Sequence, residues 1–296
     1  MFEGIYPPIP TPFDDDGALA LDRLAANLEK WNAVSPGLSG YVAMGSNGEA
    51  PHLSVGESVQ LVAATRKSAP DSMKVIAGTG QLSTWATVDV TKRAADAGAD
   101  AVLVVTPFYY KGRMTDAALK RHFVAVADAS PVPVLIYNVP ANTGFNMPVS
   151  VVPELAAHDN IAGIKDSAGD INQLAEMVRL TRGMQFEVIS GNFGALLPSM
   201  SFGVAGAILA VANVAPKECV TMYQAARDGR WAEAGELHLR LLPVARAVTS
   251  QYGVPGLKAA LDLLGYFGGV PREPLLLLSD TARDDIAKLL REAALL

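Results

Sequence analysis

Lys165 is the residue whose type and position most invite a chemical reading. It lies near the C-terminal end of an apolar run, Ile161-Ala-Gly-Ile-Lys-Asp-Ser167, that reads as a short buried strand, and a Gly169-Asp170 turn follows to open a helix. An ammonium in a dry interior is costly unless it is paired or has given up its proton. Two readings answer this. The lysine can leave its strand early and carry its head to solvent, or it can be a desolvated amine able to attack a carbonyl. A side-chain period of two puts Lys165 and Ser167 on one face and sends Ile164 and Asp166 to the other. One strand earlier, Val134-Leu-Ile-Tyr137-Asn-Val-Pro140 carries a tyrosine whose hydroxyl needs a partner if it is buried. A phenol beside an amine can shuttle a proton, or it can make a structural hydrogen bond.

Other strand ends carry polar residues as well. Gly45-Ser46-Asn47-Gly48-Glu49 is a tight turn whose two glycines leave backbone N–H groups able to converge on a carboxylate. A plain turn uses the same residues. Thr106-Pro-Phe-Tyr109-Tyr110-Lys111-Gly offers paired tyrosines for hydroxyl relay or for subunit packing. Ser190-Gly191-Asn192 places a glycine where a ligand could approach the backbone, and the last strand carries Ile208.

Along the chain, short β-rich runs alternate with helical stretches. The strands are expected at 4–10, 40–45, 74–80, 101–107, 134–140, 161–167, 187–192 and 206–213. Most are continuous apolar runs, as parallel strands covered by helices should be. Between them, Leu21, Leu24, Leu28 and Trp31 form an apolar stripe, and Ser54 with Glu57 makes a capping box. Ser83 can cap the next helix, Leu119, Phe123 and Val126 share one face, Asp170 with Gln173 suggests another cap, and Pro216 opens a further helix. Eight strand–helix alternations at this length predict a (β/α)8 TIM barrel over residues 1–225, with an open doubly wound sheet as the competing solution. After Gly229 the strand pattern stops, and 226–296 reads as a C-terminal helical extension packed on the barrel. In a barrel the active site lies at the C-terminal strand ends, where the residues above fall.

Composition narrows the chemistry. The chain has 296 residues, 50% hydrophobic, with net charge −6. Nothing in that balance suggests a nucleic-acid or anionic-membrane surface. Cys219 is the single cysteine, so no intrachain disulfide is possible and a reducing, cytoplasmic setting is expected. No apolar stretch is long enough to span a bilayer, and the N-terminus lacks a basic targeting segment. His52, His122, His158 and His238 are scattered, with neither His-Glu-x-x-His nor Cys-x-x-Cys, so no metal site is expected. Ser46 has no evident His-Asp pair, and no Gly-x-Gly-x-x-Gly follows the first strand. A lone strand lysine without metal or cofactor points to Schiff-base chemistry.

With Gly-Ser-Asn-Gly-Glu49, Tyr137-Asn-Val-Pro and Gly163-Ile-Lys-Asp-Ser in this order and spacing, the chain resembles the dihydrodipicolinate synthase / N-acetylneuraminate lyase superfamily over essentially its whole length. Gly4-Ile-Tyr-Pro-Pro, Thr106-Pro-Phe-Tyr-Tyr-Lys-Gly-Arg-Met114, Val139-Pro-Ala-Asn-Thr-Gly144 and Tyr252-Gly-Val-Pro-Gly-Leu-Lys258 look like its 4-hydroxy-2-oxoglutarate aldolase branch. The resemblance implies that Lys165 forms an imine with the 2-oxo group of a small 2-oxo acid, so that no separate cofactor is needed. It gives proton transfer to Tyr137 and the 1-carboxylate to Ser46 and Asn47, with Ser167 and Gly191 completing the pocket. Tyr109 matches a tyrosine that reaches a neighbouring subunit's site, which implies a homotetramer of paired dimers. The synthase branch carries an arginine for a second substrate's carboxylate where this chain has Asn142, and an amide does not replace a bidentate guanidinium.

The expected reaction is therefore a class I retro-aldol cleavage of a 4-hydroxy-2-oxo acid, 4-hydroxy-2-oxoglutarate giving pyruvate and glyoxylate. Tyr137 takes the C4 hydroxyl proton, with Ser46 as relay. The alternatives are an aldolase or dehydratase for a 2-oxo-3-deoxy sugar acid, a dihydrodipicolinate synthase-like condensation, and a non-catalytic 2-oxo acid binder. Tyr110, Lys111, Arg113 and Asn142 are the residues expected to tune the distal pocket.

Overall fold

The computed structural model describes residues 1–296. Its eight strands are β1 Gly4–Tyr6, β2 Gly40–Ala43, β3 Lys74–Gly78, β4 Ala101–Val105, β5 Val134–Asn138, β6 Ile161–Asp166, β7 Glu187–Ser190 and β8 Gly206–Ile208. They form one sheet in the order β1-β8-β7-β6-β5-β4-β3-β2. The first and last members of that order also join each other. Ile9 N–H donates to Val42 O and Val42 N–H to Pro7 O, both at 3.0 Å, around a parallel Pro8–Val42 bridge. A parallel sheet closed in this way, with helices between its strands, is a (β/α)8 barrel, and four more helical segments follow the last barrel helix.

Every strand starts where the sequence pattern puts it, and every one stops early at its C-terminal end. At β5 the reason is local. Pro140 has no N–H to give to a ladder and instead sits at the first position of a short helix, Pro140–Thr143. After β8 the chain turns into a 3-10 helix, Ala210–Asn213. Tyr137 and Lys165 stay within their strands, while Ser167 and Gly191 fall just beyond theirs.

Two compact units make up the chain. One comprises Met1–Glu3 and Ile76–Ile208. Within it β4, β5, β6 and β7 pair in parallel register, and their side chains are almost all buried. The helices there start where capping predicts. Ser83 accepts from Ala86 N–H, Thr115 from Ala118 N–H, and Asp170 from both Asn172 and Gln173 N–H. A further helix, Phe193–Met200, fills the alternation between β7 and β8 and is capped by Asn192.

The other unit comprises Gly4–Val75 and Leu209–Leu296. Leu24, Leu28 and Trp31 of helix Leu21–Val34 are buried, and the Ser54/Glu57 capping box closes in both directions at the start of helix Val55–Ser68. Trp31 Nε1 donates to Asn213 O at 2.9 Å, and Asn213 Nδ2 donates to Pro8 O at 3.1 Å. The C-terminal helices are Pro216–Arg227, Trp231–Arg246, Gly253–Leu263 and Asp280–Glu292, the second running on as a π-helical turn, Ala247–Gln251. No helix is long and apolar enough to cross a membrane.

Candidate active site

The register of β5 on β6 sets Tyr137 opposite Lys165 and Asn138 opposite Asp166. Alternation then gives the two pairs opposite faces. On one face Lys165 Nζ lies 4.1 Å from the centroid of the Tyr137 ring. Lys165 is only 4% exposed, and its ammonium forms neither a hydrogen bond nor an ion pair. The strand lysine therefore does not escape to solvent. It is a buried amine whose neighbour is an aromatic face.

Gly191, just beyond β7, explains how a lysine fits there. A Cβ at this position would come within 1.9 Å of Ser167 Oγ and 2.9 Å of Lys165 Cε. Any side chain would occupy the volume that Lys165 and Ser167 now share. Gly191 N–H also donates to Asp166 O at 2.7 Å, which holds the β7 end against β6. Lys165, Tyr137, Ser167 and Gly191, picked from three separate strands, are thus neighbours. Ile208 ends β8 in the same unit, fully buried.

The opposite face carries a polar set that sequence reasoning passed over. Asn138 Nδ2 donates to Asp166 Oδ2 at 2.7 Å, Gln173 Nε2 donates to the same oxygen at 2.8 Å, and Ala168 N–H donates to Oδ1 at 3.1 Å. Asn138 also bonds Asn146 and the Met147 N–H. Burial raises the pKa of Asp166, while the Asn138 and Gln173 hydrogen bonds pull it down. These bonds tie β5 to β6 one residue beyond Tyr137 and Lys165, so they hold the amine and phenol in register. The signal was present: an asparagine and an aspartate in otherwise apolar strands need buried partners.

Tyr109 and Tyr110 stand on the loop after β4. Each is 71% exposed, and their rings meet edge to face at 5.0 Å. Asn142, on the short helix after β5, is also exposed.

Ser46 and Asn47 belong to the other unit, in a 3-10 turn, Ser46–Gly48, that follows β2. The tight turn is of the 3-10 type, and neither of its glycines is left-handed. Gly45 is extended, and the left-handed residues are Met44 (φ 56°) and Glu49 (φ 55°). The glycine requirement falls on Gly48 for a different reason, since a Cβ there would lie 3.1 Å from Ile9 O. Two side chains in strained backbone need strong anchors. Glu49 supplies them, being buried with Oε1 at 2.7 Å from Lys258 Nζ and Oε2 accepting from Arg272 N–H at 2.8 Å. Lys258 in turn donates to Val270 O at 2.7 Å and lies over the Phe13 ring. Arg272 clasps Glu57 and also covers Phe13. Thr11 Oγ1 donates to Gly48 O at 2.6 Å. Asn47 Nδ2 is buried without a partner, a donor that an anion could take up.

The likeness to known proteins extends over the whole chain. The Dihydrodipicolinate synthetase family model matches residues 1–293. The 4-hydroxy-tetrahydrodipicolinate synthase of Methanosphaerula palustris is 40% identical over 275 residues, 93% of this chain and 94% of that protein. The enzyme of the same name from Methanospirillum hungatei is 38% identical over 294 residues, 99% and 98% of the two chains. Among solved structures, the chloride-inhibited dihydrodipicolinate synthase of Acinetobacter baumannii complexed with pyruvate superposes with a TM-score of 0.94 at 30% identity, covering 100% of each chain. YagE, an E. coli K12 prophage protein of the dihydrodipicolinic acid synthase family in complex with pyruvate, gives 0.93 at 31% identity over the same full coverage. With a whole-chain family match and relatives at this identity, this chain belongs to the dihydrodipicolinate synthetase family.

Proposed function

We propose that the chain is a class I enzyme that holds pyruvate as an imine on Lys165 and makes or breaks a carbon–carbon bond at the former methyl carbon. One observation carries this reading: Lys165 is buried without an acid partner, lies against Tyr137, and fits only because residue 191 is glycine. The neutral amine adds to the C2 carbonyl and water leaves. Loss of a C3 proton then gives an enamine, which attacks an aldehyde carbon, and hydrolysis frees the product and the lysine. Run backwards, the same steps cleave a 4-hydroxy-2-oxo acid to pyruvate and an aldehyde. Tyr137 serves as the proton carrier beside the amine. The roles that the resemblance gives to Ser46 and Asn47 with the 1-carboxylate, and to Tyr109 in a homotetramer, stand within this proposal, as does a cytoplasmic setting.

Pyruvate as the oxo acid is supported by the two solved relatives in complex with it. For the bond-forming direction, the names of the curated relatives support condensation, as in a 4-hydroxy-tetrahydrodipicolinate synthase, better than cleavage. One residue favours the second reading, the cleavage of 4-hydroxy-2-oxoglutarate to pyruvate and glyoxylate. Asn142 stands where the resemblance places the arginine of the synthases.

Borohydride reduction in the presence of pyruvate, followed by peptide mass analysis, tests the imine. The pyruvyl adduct is expected on the Lys165 peptide, and its absence would sink the reading. Synthase turnover compared with pyruvate release from 4-hydroxy-2-oxoglutarate then separates the two directions.

A further inference from the structure

The Tyr252-Gly-Val-Pro-Gly-Leu-Lys258 segment lies at the joint between two C-terminal helices. The helix Trp231–Arg246 runs on as the π-helical turn Ala247–Gln251, and Tyr252 N–H closes it by donating to Ala247 O at 3.0 Å. The Tyr252 hydroxyl donates to Asp285 Oδ2 at 2.8 Å, which fastens the joint to the last helix. Helix Gly253–Leu263 then carries Lys258 on its buried side. The loop beyond that helix folds back over the same residue. The Asn27 side chain accepts from Phe267 N–H at 2.9 Å and donates to Phe267 O at 2.8 Å. Gly268 packs so closely that a Cβ there would lie 2.0 Å from Lys258 O. Val270 O is thereby presented to Lys258 Nζ, and Arg272 N–H to Glu49. The result is one ammonium and one N–H on the two oxygens of a single carboxylate, Glu49.

Stability alone does not call for this device. Apolar side chains of the same volume often hold a core as well as a buried ion pair does. What an ion pair adds is direction, and its direction here is toward one turn. Glu49 stands in the left-handed region at φ 55°, and its N–H donates to Ser46 O at 3.2 Å. Gly48 O accepts from Thr11 Oγ1 at 2.6 Å, and His52 O accepts from Arg272 Nη1 at 2.8 Å. The chain is thus gripped at Gly48, Glu49 and His52 by residues of the same compact unit. Within that grip Asn47 Nδ2 is buried with no partner. A buried donor left open costs free energy until an acceptor reaches it, and a rigid turn keeps it open.

We propose that Glu49 and Lys258 are positioning residues for the reaction: their ion pair fixes the Ser46–Gly48 turn so that Asn47 Nδ2 meets the 1-carboxylate of the oxo acid. This rests on the role proposed above for Ser46 and Asn47 and names the residues that stand behind it.

The test uses the full-length enzyme and two probes that form the same imine, pyruvate and methyl pyruvate, in which the carboxylate is masked as an ester. Borohydride trapping on the Lys165 peptide is measured against probe concentration. Glu49→Gln keeps the size of the side chain and an acceptor for Arg272 N–H but gives up the ion pair. Lys258→Met gives it up from the other side. Each should raise half-saturation for pyruvate about three- to tenfold, the worth of one misplaced hydrogen bond, and that for methyl pyruvate by less than about twofold. An unfolded fraction lowers maximal labelling without this selectivity, so a purely structural role is read separately. Should Lys258→Met fail to fold, the near-isosteric Glu49→Gln decides alone. Unchanged half-saturation in Glu49→Gln, or an equal shift for both probes, overturns the positioning role. Asn47→Ala checks the reading beneath and should also shift pyruvate selectively. If it does not, the turn does not hold the carboxylate and this proposal falls with that role. Failure of both probes to label wild-type Lys165 removes the imine reading itself, and this proposal with it.

Discussion

Two buried lysines, one in each compact unit, meet the same physical difficulty in opposite ways. Lys258 is 1% exposed and Lys165 is 4% exposed, and each ammonium lies over an aromatic ring, Phe13 for the first and Tyr137 for the second. Lys258 has its charge answered by the Glu49 carboxylate and a backbone carbonyl. Burial lowers its pKa while Glu49 opposes the change. Its ammonium is committed to two acceptors, one of them on a left-handed residue of the Ser46 turn. Lys165 has no acid and no hydrogen bond, and its stem is accommodated by a glycine. Burial alone therefore does not mark a reactive lysine. What distinguishes Lys165 is an amine left uncommitted beside a phenol.

The comparison can be broken most directly by deleting each amine in turn. Lys165→Ala should abolish turnover and the borohydride adduct while circular dichroism and Tm stay near wild type. A variant that retains wild-type rates would end the distinction. Tyr137→Phe should lower kcat by roughly 10²–10⁴, the range for a positioned acid or base, as steady-state kinetics would show. Gly191→Ala should lower kcat by about 10²-fold by pushing Lys165 Cε and Ser167 aside, with the fold kept. Unchanged kinetics there would mean that the Lys165 position is not as constrained as its contacts indicate.

Lys258→Met belongs to the other side of the comparison and should act on stability. It leaves Glu49 buried without its ion partner, a loss of about 3–5 kcal/mol measurable by denaturant unfolding, while the folded fraction still labels Lys165 with pyruvate. The smallest effect concerns pH. The Arg272 hydrogen bond holds Glu57 at about 2, below its ordinary value of 4.5. A carboxyl whose folded-state pKa is depressed stabilises the fold above its unfolded value and loses that contribution as pH falls. Acid unfolding should therefore steepen between pH 4.5 and about 2, and Glu57→Gln should flatten that limb. Glu57 is a quarter exposed, so the effect should also shrink with salt.

Much of this was legible in the sequence because it is local. The Ser54/Glu57 box, the Ser83 and Asp170 caps, and the starts of all eight strands follow from residue types within a few positions of one another. Strand ends were less legible, since where a ladder stops depends on neighbours such as Asp166 O, which takes the Gly191 N–H. The turn at Ser46 shows the same limit. Its tight turn was expected, yet the left-handed residues there are Met44 and Glu49 rather than glycines, and Glu49 is anchored by a distant lysine and arginine.

The eight-strand alternation, the helix caps and the unusual presence of Lys165 and Tyr137 in apolar runs follow from periodicity and short-range hydrogen bonding, and so are written in the chain itself. Long-range folding sets which of the two buried lysines is paired and which is not. It also decided that Tyr137 faces Lys165 and that Gly191 leaves the lysine its space. Those outcomes depend on parallel register and on contacts between residues far apart in the chain, which no local pattern encodes.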